Sequence, residues 1–146
     1  MPKFKFRLQS YYDVKTKLED KAKQDYGLAL VLLDRERKER VRLEDERKLQ
    51  LAQFRESLSG GVNPSELQSI NNYIEVLKRS ISLANERVKK ARDLAEKRRI
   101  DLSEAMKQRK MIEKLHDDAK FRFIKESSRI EQRAIDEVVS YKFNNR

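Results

Sequence analysis

The sequence predicts an all-α protein: two long helices in an antiparallel coiled-coil hairpin, the second helix longer than the first and overhanging it. Three observations predict this fold. Charged residues make up 41% of the 146-residue chain and apolar ones 38%, with three glycines and two prolines; ordinary soluble domains are nearer a quarter charged and almost half apolar. Apolar residues recur at alternating three- and four-residue steps over most of the chain, the period of a helix-pairing stripe. Turn-forming residues gather at one place, Ser57 to Pro64. A rod two helices thick has little interior per residue, so it suits a charge-rich composition.

The first helix is expected over about residues 6–58, with a rough seam of Leu8, Tyr11, Leu18, Ala22, Tyr26, Ala29, Leu33, Leu43, Leu51, Phe54 and Leu58, interrupted by Lys15, Glu36, Arg40 and Arg47. Between Asp34 and Lys48 only Val41 and Leu43 are uncharged. Arginine stems can lie along an apolar seam with their heads in water, so this stretch can pair, but weakly, and it is the place where a partner is most expected to find the apolar face of the other helix. The turn is expected at 59–63. Gly60-Gly61 can end a helix in the left-handed conformation, Asn63 can cap the next, Pro64 suits its first position, and Glu66 follows three after the cap.

The second helix, about residues 64–141, carries the stronger signal. Steps of three and four from Leu67 give Ile70, Ile74, Leu77, Ile81, Ala84, Val88, Ala91, Ala95, Arg98, Leu102, Ala105, Arg109, Ile112, His116, Ala119 and Phe123; fourteen of these seventeen are apolar. The short connection makes the helices antiparallel. Leu58 then meets Leu67, residues near Phe6 meet those near Phe121, and the shared rod is roughly 80 Å long at 1.5 Å per residue. The rest of the second helix overhangs. It keeps an apolar stripe, Phe123, Ile130, Ala134, Val138 and Tyr141, that nothing else in the chain covers, and an uncovered stripe calls for a partner. The whole reads as one coiled-coil domain, 1–146.

No enzyme signature is present. There is no cysteine, a single histidine and too few glycines for a phosphate-cradling loop, so no catalytic residue, cofactor site or metal site is expected. His116 falls on the seam and reads as a polar seam residue. No apolar run is long enough to span a membrane, and the N-terminus has no signal-like apolar stretch; the expectation is a cytoplasmic protein with no membrane insertion. The net charge of +10 favours acidic partners. The cluster Arg87, Lys89, Lys90, Arg92, Lys97, Arg98 and Arg99 reads as the solvated face of the coil rather than a nucleic-acid site, because Val88, Ala91 and Ala95 hold the seam within it.

Aromatic placement points to protein binding. Of eleven aromatics, eight lie near the chain ends: Phe4, Phe6, Tyr11, Tyr12, Phe121, Phe123, Tyr141 and Phe143. A hairpin gathers all eight at one tip, as aromatic anchors of an interface would be. The expected partner-binding residues there are Phe4, Phe6, Leu8, Tyr12, Phe121, Phe123, Ile130, Val138 and Tyr141.

The opening Phe4-Lys5-Phe6-Arg7-Leu8-Gln9-Ser10-Tyr11-Tyr12-Asp13-Val14, followed by Glu19, Ala22 and Leu28-Ala29, resembles the start of FliJ-family flagellar export proteins. Tyr11-Tyr12 stand where that family has an aliphatic pair. The ending Glu131-Gln132 with Asp136-Glu137-Val138 is similar to the family's acidic tail, and the single break and longer second helix agree with it. The resemblance implies a non-enzymatic stalk in flagellar type III protein export, peripheral to the inner face of the cell membrane. Its partners would be the hexameric export ATPase at the paired termini, the export gate's membrane protein at the turn, and export chaperones. For the gate contact, Phe54, Tyr73 and Leu77 match the family's pattern. The rival readings are a prefoldin-type coiled-coil chaperone, for which the turn is too short to hold a β-hairpin, and a basic nucleic-acid-binding coiled coil, against which the interleaved charges argue.

Overall fold

The computed structural model describes residues 2–61 and 63–145; Met1, Arg146 and Val62 of the predicted turn lie outside them. Helix α1 spans Gln9–Ser59 and helix α2 spans Pro64–Asn144; no strand occurs among the described residues. The two helices form a hairpin. They pack in two compact units, Met1–Lys21 with Ser103–Arg146, and Ala22–Leu102.

The caps follow the local sequence. At the end of α1 the Gly60 amide donates to the Glu56 carbonyl at 3.1 Å and the Ser59 hydroxyl to the same oxygen at 2.9 Å. Gly61 then takes φ +70°, a conformation costly for a residue with a Cβ. Asn63 caps α2: its Oδ1 accepts from the Ser65 amide at 3.1 Å and its carbonyl from the Glu66 amide at 3.1 Å. These bonds satisfy amides that a helix start otherwise leaves unpaired.

All seventeen seam positions of α2 are buried or half-buried. In the unit of residues 22–102 the core consists of Ala29, Leu33, Val88, Ala91 and Ala95, and of Leu43, Leu77 and Ala84 with Ile81. Alanines at three of these α2 positions let the backbones approach closely, since interaxial distance follows side-chain size. The charged stretch 34–48 therefore does not leave α2 open: Leu43 closes over Leu77 and Ala84.

The α1 seam differs from expectation at both ends. Leu8, Tyr11 and Leu18 are exposed, whereas Tyr12, Lys15 and Glu19 turn inward. Counting back from Leu43 in unbroken three-four steps reaches Ala22, Glu19, Lys15 and Tyr12; keeping that period wins over burying the more apolar neighbours, because polar residues of α2 await there. Glu19, 3% exposed, accepts from the Arg109 guanidinium, which also reaches Glu113. Near the turn Ser57 is half-buried and Leu58 is exposed, so the buried stripe there runs through Ser57.

Helix α1 also begins at Gln9, whose amide donates to the Phe6 carbonyl at 3.1 Å, and not at Phe6. Residues 2–6 carry no helix. Two residues apart on a helix, Phe4 and Phe6 would diverge by roughly 200°; on extended backbone they share one side. The non-helical start lets both rings pack on His116.

Candidate protein-binding surfaces

In the unit containing both termini, His116 is enclosed by rings. Phe4 lies 5.5 Å from it edge-on, Phe6 5.1 Å away edge-on, and Tyr12 is stacked at 6.1 Å. Phe4 also meets Phe123 at 5.5 Å, and Nδ1 of His116 lies 3.2 Å from Oδ1 of Asp117. Edge-on aromatic geometry places a positive ring edge against a negative face. Phe6 thus packs on His116, and the Phe4–Phe123 contact joins residues near Phe6 to residues near Phe121, which is itself exposed.

This arrangement divides the aromatic tip. Phe4, Phe6, Tyr12 and Phe123 are half-buried and hold the N-terminal segment to α2. Leu8, Phe121, Ile130, Val138 and Tyr141 are exposed, as are Ile124, Ile135, Val139 and Phe143. Beyond Phe123 every described residue of α2 is exposed except the half-buried Ser127. A groove lined by Pro2, Phe123, Ile124, Ser127, Ser128, Ile130 and Glu131 opens where the N-terminal segment crosses α2. Exposed basic residues neighbour it in sequence: Lys3, Lys5 and Arg7 before α1, and Lys120, Arg122, Lys125 and Arg129 on α2.

In the other unit, near the turn, Tyr73 is 40% exposed and Phe54 is half-buried. Leu77 is 4% exposed and belongs to the core with Leu43 and Ala84, so it does not present itself to a partner.

Three of the seven residues in the basic cluster on α2 hold carboxylate partners. Arg87 donates to Glu36 at 3.1 Å, Arg98 to Asp101 at 3.4 Å, and Arg99 to Glu96 at 2.6 Å. The Arg99 hydrogen bond holds the Glu96 carboxyl below its ordinary pKa, and Arg42 does the same to Glu39. Among the described residues no group of three His, Asp or Glu side chains could hold a metal, and no helix is long and apolar enough to cross a membrane.

A paired hairpin with a bare helical extension defines the class: a helical-hairpin protein whose second helix ends in an exposed apolar stretch. Within that class the chain belongs to the FliJ family, because the model of the family described as "Flagellar FliJ protein" matches residues 4–146. It is accordingly a protein of flagellar export. No curated protein and no solved structure matches the chain.

Proposed function

We propose that this chain is the stalk of a flagellar export apparatus, seating its terminal end in the export ATPase ring and presenting its turn end to the export gate. The observation that carries the reading is the extension of α2. Ile130, Ile135, Val138, Val139, Tyr141 and Phe143 are exposed there with basic residues around its base. A ring pore lined by acidic and apolar groups would satisfy both features, charge steering the encounter and burial holding it. The half-buried aromatics around His116 brace the base of the extension.

At the turn, Tyr73 with Phe54 is the surface offered to the gate's membrane protein, and Leu77 belongs to the core of that unit. Binding of empty export chaperones belongs to the same reading, as does a place in the cytoplasm at the inner membrane face. The chain contributes no catalytic step; ATP is hydrolysed by the ring, so no cofactor is its own.

The test is the turnover of a cognate hexameric export ATPase with increasing amounts of this chain. The full chain raises turnover. Truncation after Ser128, or Ile130→Asp with Val138→Asp, removes the effect without loss of helicity in the rest, because these side chains are exposed and lie outside the paired core. Undiminished stimulation by the truncated chain, with loss on Phe54→Ala and Tyr73→Ala, would reverse the two ends.

A further inference from the structure

The terminal unit has a second apolar surface, distinct from the extension. Tyr11, Val14 and Leu18 of α1 are 49%, 51% and 48% exposed, and Met111 and Leu115 of α2 are 68% and 50% exposed. Steps of three and four residues put each set in a stripe along its own helix. Because Tyr12, Lys15 and Glu19 face α2, the α1 stripe lies to one flank of the pairing seam. On α2, Ile112 and His116 hold the seam, and Met111 and Leu115 each precede one of them.

One side chain places the stripes on the same flank. Lys15 donates to Oε1 of Gln108 at 2.7 Å, and its ammonium sits 5.0 Å from the centre of the Tyr11 ring. Gln108, Met111 and Leu115 follow at steps of three and four, so the residue that Lys15 reaches across the seam heads the α2 stripe. Tyr11, Val14 and Leu18 on one side and Met111 and Leu115 on the other border one flank of the pairing, a groove with apolar banks that the Lys15–Gln108 hydrogen bond crosses. The charged residues beside it are Lys21, Lys107 and Lys114, all exposed, against the exposed Asp118 and Glu104, whose carboxylate accepts from the Gln108 amide at 3.3 Å, so lysines outnumber carboxylates on the rim.

We propose that this groove docks a third helix, supplied by another protein, with one apolar stripe and acidic edges. A groove between two packed helices, apolar on both banks, takes the ridge of a further helix. Acidic edges match the lysines of the rim. A second copy of this chain would bring the same lysines and a net charge of +10, so like charges oppose self-association there. The chain's own extension does not fill the groove, since α2 continues as helix to Asn144 and its last residues are exposed.

The proposal stands apart from the assignment of the ATPase end and is tested without the ATPase. The probe is a fluorescein-labelled synthetic helix of roughly three heptads, leucine at a and d and glutamate at e and g, with a scrambled peptide of identical composition as control. Fluorescence anisotropy is measured against the full chain. The heptad peptide binds and the scrambled one binds at least roughly ten-fold more weakly, the loss expected when apolar anchors are misplaced. Val14→Asp and Met111→Asp each weaken binding by about ten-fold or more, while Val138→Asp leaves it unchanged. Both sites are exposed, so helicity by circular dichroism is retained; Tyr11→Ala with Leu115→Ala is the milder second variant. Equal binding of the two peptides, or binding indifferent to Val14 and Met111, would overturn the proposal. So would a dimer in sedimentation that Val14→Asp splits, which gives the groove to a second copy.

Discussion

Leu77→Ala separates a core role from a partner-binding role at the turn end. Leu77 is 4% exposed, packed with Leu43, Ala84 and the half-buried Ile81. The substitution removes three carbon atoms from this layer; at about 0.8 kcal/mol per buried methylene the transfer loss is about 2.4 kcal/mol. A cavity in a larger core would add to that, within the roughly 2–5 kcal/mol range for such truncations. Here the layer lies between only two helices, and Ile81 can close part of the gap, so the expected loss is about 2.5–3 kcal/mol. For a chain of this size that lowers Tm by roughly 5–12 °C. Thermal unfolding followed by far-ultraviolet circular dichroism measures it, with Leu83→Ala, an exposed site on the same helix, as the control expected within about 0.5 kcal/mol. Below its transition Leu77→Ala should keep any partner contact made by Tyr73. A loss of stability no larger than that of the control would refute the packing argument.

Three further outcomes follow from the pairing. Spin labels at Ala22→Cys and Leu102→Cys, both in the unit of residues 22–102, should report a short separation, near the roughly 8–10 Å spacing of packed helices; several tens of ångströms would contradict the register. Glu19→Ala should lower Tm by leaving Arg109 facing an empty seam position, whereas Glu19→Leu with Arg109→Leu should match or exceed the parent, as apolar replacements of inward-facing ion pairs do. Acid should destabilise the protein. Hydrogen bonds from Arg42 and Arg99 depress the pKa of Glu39 and Glu96 in the folded state, so their contribution is present above the unfolded carboxylate pKa and is lost as pH falls through the folded one. Tm measured from pH 7 down to about pH 3 should fall, and fall less in Glu39→Gln with Glu96→Gln.

The second helix was legible almost residue by residue because its seam is apolar where it packs. The first was legible only in its middle. At its start the apolar side chains Tyr11 and Leu18 stand beside Tyr12 and Glu19, and apolarity alone picks the wrong neighbour. The signal lay on the other helix: Arg109 and His116 are polar members of the α2 seam, and they call for a carboxylate and for rings opposite them. The Phe4-x-Phe6 alternation likewise carried the extended start, since two residues is a strand period and not a helical one. For the candidate surfaces, the sequence placed the apolar extension but merged it with the aromatics that pack on His116. Sorting them takes burial, which depends on how the N-terminal segment lies across α2. The identity of a partner is written in the partner's own surface, so the family match supplies flagellar export and the chain supplies the chemistry of the contact.

Site-specific photo-cross-linking to the assembled hexameric ATPase tests the central claim most directly. A photoreactive residue replaces Val138 in one full-length variant and Tyr73 in another, and each is irradiated with the ring. The stalk reading predicts cross-links to the ATPase from position 138, competed by unmodified chain, and few from position 73. Cross-links from position 73 with none from position 138 would contradict it.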